Sequence, residues 1–406
     1  MAAGTLTPHP PNREWRVLGL MSGSSLDGID WCMATFGYVN GRWNYRIEGT
    51  GTRPFTETMV ARLSEAHRLT VHEAMLLQTD FCEHSTGAVE AAVAQCGRPE
   101  IIAEHGHTVV HRPDLGYTWQ MSAAPSLAAC MQLPVVGDFR RVDVALGGQG
   151  APLVPMGDRL LFSEYAACLN LGGIANVSFD RGGVRMGFDV CLANQVLNEL
   201  ARRIGHPFDP EGRFASAARR SCAPARCAFM ETVLAQWLAT DAARPIPPPS
   251  LGRESLDTIL ETRIEADGLR TEEALWAWCR HIAASVVYYL RHFQVSGNVL
   301  LTGGGAYNRF LLECLAESAS PYPEIRWVVA PDALITHKEA LLFGFFGLLR
   351  YLRLPNTDAS STGASSTHSA GCVYEPFPLT LTFEPPRRLS TRASAASIHR
   401  DFPLCR

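Results

Sequence analysis

The sequence predicts an α/β protein built from two related halves that face one another, and three observations carry that expectation. Strand-like apolar runs alternate with helical periodicities along 406 residues. A unit of strand, polar glycine loop, strand, turn and strand occurs twice. A third glycine cluster stands where a strand gives way to a helix.

In the first unit the apolar run Arg16 to Leu20 leads into Met21-Ser22-Gly23-Ser24-Ser25-Leu26-Asp27-Gly28-Ile29-Asp30, and Trp31 to Phe36 follows. Asn40-Gly41 then turns the chain into Trp43 to Ile47. In the second unit Ala166 to Leu171 enters Gly172-Gly173-Ile174-Ala175-Asn176, Val177 to Phe179 returns, and Asp180 to Gly183 turns into Val184 to Asp189. Such loops suit an anion. Glycines let backbone amides turn toward it, hydroxyls donate to phosphate oxygens, and Asp27 can hold a water-bound magnesium ion. One glycine-rich hairpin is more often a plain turn. The third cluster, Gly303-Gly304-Gly305-Ala306-Tyr307-Asn308, follows the strand-like Asn298 to Thr302 and precedes Phe310-Leu311-Leu312. Bare glycines at the start of a helix let a flat ring or a phosphate approach the backbone. Three such loops in one chain point to a nucleotide.

Between the units, Thr70 to Ala94 has helical periodicity, and after a break at Gly97-Arg98-Pro99 a strand at Glu100 to Ile102 enters Ala103 to Thr108. A helix over Ser122 to Gln132, a short strand over Leu133 to Asp138 and a crossing between halves at Gly147 to Pro152 come next. Glu273 to Phe293 reads as a long helix whose Trp and Tyr residues pack the core. Ala340 to Leu349 reads as a buried helix too short to span a bilayer. From about Phe377 the chain is rich in Arg, Ser and Pro without periodicity, which predicts a poorly ordered extension.

Composition narrows the function. A hydrophobic content of 47% with 19% charged residues fits a globular enzyme, and a net charge of -4 gives no case for nucleic acid or an anionic membrane. Lys338 is the only lysine, so no Gly-Lys-Ser/Thr step exists and a nucleotide site here is not a Walker P-loop. The twelve cysteines form no Cys-x-x-Cys pair, and Cys32, Cys130, Cys168 and Cys314 lie in apolar runs, which predicts buried thiols in a reducing cytoplasm. Met1 to Glu14 lacks the apolar stretch of a secretory signal. A metal-dependent hydrolase could be argued from His105-x-His107-x3-His111, but β-branched Thr108, Val109 and Val110 disfavour a helix that would align the last pair.

The strings MSGSSLDGID, HGHTVVHRP, DFRRVDVALGGQGAPLVP, LNLGGIANVSFD, GFDVCLAN, PPPSLGRE and LTGGGAYNRFLL occur in that order. The chain from about Val17 to Tyr374 thereby resembles 1,6-anhydro-N-acetylmuramic acid kinases, of the sugar kinase, Hsp70 and actin superfamily. The resemblance implies two ribonuclease-H-like (actin-like ATPase) domains around a central nucleotide cleft. Residues 13–140 with about 336–375 would form the first domain, 141–335 the second, and 376–406 a flexible extension. It also implies a cytoplasmic, ATP- and magnesium-dependent reaction that opens the 1,6-anhydro ring by hydrolysis and phosphorylates O6, in cell-wall recycling. Asp189 would be the base that activates water. Gly23, Ser24, Ser25, Leu26, Asp27, Gly28, Ile29 and Asp30 would hold phosphates and, through Asp27, the metal; Gly172, Gly173 and Asn176 would form the second phosphate loop. Gly303, Gly304, Gly305 and Asn308 would lie by adenosine. His105, His107, Thr108, Arg140, Asp143 and Glu339 would bind the sugar, with Arg140-Arg141 available to its carboxylate. The partners implied are a small sugar and ATP, with neither nucleic acid nor membrane, and a homodimer is left open.

Four departures from the family pattern stand out. Ser24 replaces a common Thr, His107 a common Gln, and Pro249 a common Lys, for which nearby Arg244 is the available substitute. Val190-Cys191-Leu192-Ala193 replaces a glycine-rich Thr-Gly-Pro-Gly, which leaves less freedom for a loop to bend toward phosphate. The altered Val190 to Ala193 segment and the missing Lys at Pro249 motivate the alternative of a non-catalytic sugar or nucleotide sensor on the same fold.

Overall fold

A computed structural model describes residues 13–376 except Ser24, Arg244, Pro247, Pro249, Ser250 and 252–254. The expectations for Ser24, Pro249, Arg244 and the extension beyond residue 376 lie outside the described residues. The strands are β1 (Glu14–Ser22), β2 (Gly28–Val39), β3 (Arg42–Pro54), β4 (Ile101–Arg112), β5 (Tyr117–Met121), β6 (Val135–Gly137), β7 (Ala167–Leu171), β8 (Ile174–Arg181), β9 (Val184–Leu192), β10 (Gly297–Thr302), β11 (Ile325–Val329) and β12 (Cys372–Tyr374).

They form two sheets of matching order. In the first, β6-β4-β1-β2-β3 lie side by side, with β12 beyond β6 and β5 paired to β4; in the second the order is β11-β10-β7-β8-β9. Each is an antiparallel meander of three strands, β1-β2-β3 or β7-β8-β9, extended on one side by two strands parallel to the first. This is the ribonuclease-H-like order, present twice, and it accounts for the repeated hairpin in the sequence.

Parallel neighbours need crossover connections, and helices supply them. Val71–Cys96 carries the chain from β3 to β4, started by a capping box between Thr70 and Glu73 and ended at Gly97, whose φ is +85°. Ala124–Met131 leads to β6, and Arg309–Ala319 joins β10 to β11. Thr271–His292 buries Trp276 and Trp278 against the second sheet.

The last long helix, Asp332–Tyr351, follows β11 yet lies on the first sheet. Gly19 and Gly344 make this contact: a Cβ on Gly19 would fall inside the Ala340 carbonyl oxygen, and Gly344 lies directly against the Gly19 backbone. Its Phe343, Phe345 and Phe346 fill a core that also holds Val17 and Phe36 of the first sheet and Cys168 and Leu300 of the second.

Two expectations change. Cys130 is exposed rather than buried, because its helix turns Ala124, Leu127 and Ala128 inward and Cys130 falls on the other face, whereas Cys32, Cys168 and Cys314 are buried as expected. The substituted segment after Asp189 is not a loop over most of its length. Val190 to Leu192 continue β9, and all four residues to Ala193 are buried.

Candidate active site

Five residues join β1 to β2, and the turn closes on β3. A Cβ at Gly28 would collide with the Arg53 carbonyl oxygen, so glycine is required for that approach. Leu26 N donates to Gly23 O at 3.3 Å, and Phe55 N to Asp27 O at 3.2 Å. Ser22 Oγ lies 3.1 Å from His107 Nδ1, tying the hairpin to β4. The Asp27 side chain is exposed and makes no hydrogen bond or ion pair with another described residue. Asp30 accepts from Thr52 Oγ1 at 2.5 Å and stands 4.0 Å from His337 Nε2. Burial raises its pKa, while Thr52 and His337 pull it back.

Along β4 the two histidines have separate partners. His105 Nδ1 lies 2.8 Å from Gly106 O, and Arg140 Nε donates to His105 Nε2 at 2.8 Å. An acceptor at Nε2 requires the proton on Nδ1, so His105 is the neutral tautomer. Burial, then Arg140, drives its pKa well down. With both nitrogens engaged, His105 has no lone pair for a metal, and no group of three or more His, Cys, Asp or Glu among the described residues is arranged to hold one. Arg140 also donates to Gly150 O at 2.6 Å. Burial lowers its pKa to about 10, against the attraction of Glu339 and Asp143, so it stays a cation at neutral pH. Glu339 keeps a solvent-exposed face, but surrounding protein raises its pKa, opposed by Arg140 and Lys338. Asp143 is fully buried and spent on the chain itself: Oδ2 accepts from Gly150 N at 2.7 Å and Oδ1 from Thr362 Oγ1 at 2.7 Å.

In the second sheet, Gly172 and Gly173 receive the backbone N–H groups of Ala193, Asn194 and Gln195 on their carbonyls, which docks the helix Asn194–Arg203 under the loop. Asn194 Nδ2 donates to Leu171 O at 2.9 Å, and its Oδ1 faces Gly305. The second hairpin and the third glycine cluster thus share one side chain. Asn176 pairs with Asp189 across β8 and β9, while Ala175 pairs with Cys191, so Val190 is an extra residue in the ladder. A bulge of this kind re-aims the neighbouring side chain. Asp189 is half-buried, and its Oδ2 accepts from Leu251 N at 3.0 Å. Burial raises its pKa, and the Leu251 bond only partly offsets this.

A sequence model of the anhydro-N-acetylmuramic acid kinase family matches residues 15–376. The chain belongs to that family. Among its relatives, an anhydro-N-acetylmuramic acid kinase of Salinibacter ruber is 32% identical over 397 residues, covering 89% of this chain and 96% of the relative. Enzymes of the same name from Rhodopseudomonas palustris and Bordetella petrii are each 34% identical, covering 88% of this chain and 99% and 95% of theirs. Among solved structures, a ROK family glucokinase from Streptomyces griseus in complex with glucose and AMPPNP aligns at 14% identity with a TM-score of 0.37, covering 82% of this chain and 99% of that one.

In this anhydro-N-acetylmuramic acid kinase family member the residues singled out from sequence fall into two groups. Asp27, Asp30, His105, His107, Arg140 and Glu339 gather through contacts among β1, β2, β4 and the helix Asp332–Tyr351; Gly172, Gly173, Asn176, Asp189 and Gly303 to Gly305 gather at the ends of β7 to β10. Ser25 and Thr108 are exposed, and Thr108 Oγ1 accepts from Gln120 at 3.5 Å. Ile29 is buried and Leu26 packs against a core, so each offers a ligand its backbone. Asn308 caps the helix Arg309–Ala319, accepting from Leu311 N at 2.9 Å. The sequence reading missed Thr52 and His337 beside Asp30, and the Leu251 bond to Asp189. The Ser-x-Gly-Arg-Glu string that follows Pro249 was the available signal for the last, but nothing local paired it with a carboxylate 62 residues away.

Proposed function

We propose that this enzyme uses ATP to open the 1,6-anhydro ring of anhydro-N-acetylmuramic acid with water and to phosphorylate O6, yielding N-acetylmuramic acid 6-phosphate for cytoplasmic peptidoglycan recycling. Asp189 takes a proton from water as that water attacks the anomeric carbon. The C1–O6 bond breaks, its electron pair goes to O6, and O6 takes the γ-phosphoryl group from ATP. The raised pKa of Asp189 makes it a stronger base than a solvated carboxylate, and the Leu251 N–H leaves its second oxygen available to water. The bulge at Val190 beside Asp189 is the observation that carries this reading.

The other roles follow from chemistry at each position. Gly23, Ser25 and Gly28 supply backbone and hydroxyl donors to the β- and γ-phosphates, a role the family pattern extends to Ser24, with Leu26, Ile29 and Asp30 framing the turn. The exposed, unpartnered Asp27 carboxylate suits a hydrated magnesium ion, whose bound charge offsets that of the phosphates. Gly172, Gly173 and Asn176 face the phosphates from the other side, and Gly303 to Gly305, supported by Asn308, take the adenosine. Arg140 meets the sugar's lactyl carboxylate; neutral His105 orients the guanidinium, with His107, Thr108 and Glu339 at the sugar. Asp143 acts from behind by fixing the Gly147 to Pro152 crossing. We take residues 13–140 with 336–375 as one domain and 141–335 as the other, since Asp332–Tyr351 packs on the first sheet. A homodimer is compatible with this reading.

A coupled ATPase assay with anhydro-N-acetylmuramic acid, N-acetylmuramic acid and glucose side by side tests the proposal. Turnover confined to the anhydro sugar is expected. ATP consumption with glucose alone, or with none of the three, overturns it.

A further inference from the structure

Three consecutive side chains at a break in the helix Asp332–Tyr351 point to three different parts of the molecule. The break is at His337, with φ −122° and ψ 22°. His337 reaches Thr52 Oγ1 on β3, 3.4 Å away, and Glu339 faces Arg140. Between them Lys338 is buried and ion-paired to Asp158 Oδ1 at 2.7 Å.

Asp158 belongs to the helix Val154–Leu161, which packs against β3 of the first sheet and β8 and β9 of the second. Its other oxygen accepts from Ser178 Oγ at 2.6 Å, and Ser178 Oγ accepts from Arg185 at 2.9 Å. Arg185 lies on β9, four residues before Asp189. Side chains alternate along a strand, so Arg185, Gly187 and Asp189 share one face. A Cβ at Gly187 would overlap Pro155, so the same helix is seated on that face.

We propose that Lys338 is a positioning residue: the buried chain Lys338, Asp158, Ser178, Arg185 fixes the separation between Glu339, on the first sheet's helix, and Asp189, on the second sheet's edge strand. This rests on the roles given above to Asp189 and Glu339. A cation and a carboxylate withdrawn from water need a partner in good geometry, and relaxing that geometry is costly, so the pair holds the two elements in one register. The charged groups that face Lys338 are Asp158 and Arg185, with the Cys168 thiol beside them. Those that face Glu339 are Arg140, Lys338 and Asp30.

The test is the double substitution K338M/D158L, which replaces the ion pair by apolar groups of similar volume, an exchange that is often neutral for stability. We expect a melting temperature near that of the parent, an unchanged KM for ATP, and kcat lower by ~10²-fold, the typical cost of misplacing reacting groups by about 1 Å. Removing the lysine also takes away an attraction that holds the Glu339 pKa down, so any limb of the pH profile that Glu339 sets should move upward. Parental kcat and pH profile in a folded double variant overturn the proposal. Should that variant not fold, the parent protein answers the question. Because Lys338 is the only lysine, protein grown with ε-13C-lysine gives a single side-chain cross-peak. The peak is expected to shift when the anhydro sugar and a non-hydrolysable ATP analogue bind together, and a peak unmoved at saturation counts against the role. Full turnover in D189N would instead sink the underlying reading of the base, and is measured separately.

Discussion

The backbone N–H of Leu251 donates to Asp189 Oδ2 at 3.0 Å. One carboxylate oxygen is thereby held in place by a segment distant in sequence, which leaves the other for the proposed reaction. If Asp189 is the base, holding it by one oxygen fixes the direction in which it can accept a proton, which is what attack by a single water requires.

Asp189→Asn should therefore keep the fold and the Leu251 bond but lose the proton acceptor. Turnover is expected to fall by ~10²–10⁴-fold, the range for general-base removal, while calorimetry shows ATP and sugar still binding. In the parent enzyme burial raises the Asp189 pKa, so the rate should decline as pH falls through a value above that of an ordinary aspartate. Near-normal turnover in Asp189→Asn would remove it from the mechanism, and lost binding would reassign it to holding substrate.

Asp27→Ala should abolish most turnover with little effect on melting temperature, because an exposed loop carboxylate contributes little to the core. Excess magnesium should recover part of the activity if the ion is held through water. Parental activity at limiting magnesium would show that the carboxylate has no part in phosphate binding.

Glu104 offers a prediction about stability. It is buried on β4 beside His105, accepting from Ser122 Oγ at 2.8 Å and Ala123 N at 2.9 Å, and burial raises its pKa to about 7 despite these bonds. A carboxyl whose pKa is higher folded than unfolded stabilises the fold fully below its unfolded pKa, and that contribution is lost as pH rises through about 7. Glu104→Gln, neutral throughout, should match the parent near pH ~4 and exceed it near pH ~8 by up to about 3 kcal/mol. Urea unfolding at both pH values measures this, and equal differences at the two would refute it.

Gly19→Ala should be among the most damaging single-methyl additions, since the new group has only the Ala340 carbonyl and the Gly344 backbone to displace. Overpacking typically costs about 1–3 kcal/mol, and backbone neighbours that cannot rotate away put this case at the upper end. A urea midpoint equal to the parent's would show that the helix can shift without loss.

Much of this was legible in the chain because it is encoded locally. Strand, glycine turn and strand are near neighbours in sequence, so both hairpins and the Gly303 loop could be read directly, and so could the helices beginning near Thr70 and Thr271. The family strings then singled out Asp189 as the candidate base. Long-range geometry was not legible. That Asp332–Tyr351 crosses back to the first sheet depends on Gly19 and Gly344 meeting, and neither glycine announces its partner. The substituted residues Val190 to Ala193 read as an impaired loop, but their apolar side chains satisfy a buried strand end, and the bulge comes from the ladder rather than from glycine. Likewise Asp143 resembles a ligand-binding carboxylate in sequence, whereas its fully buried oxygens are engaged by Gly150 and Thr362.

The return of Asp332–Tyr351 to the first sheet also sets an order of events during synthesis. Val17, Phe36 and Ala103 belong to the earliest part of the chain to emerge, yet the helix that covers them is made after the entire second sheet. A nascent chain that has reached β11 can close the second sheet while the first still presents an apolar face to solvent or to a chaperone. A ribosome that stalls just before Asp332 thus leaves a protein whose older half is the unfinished one.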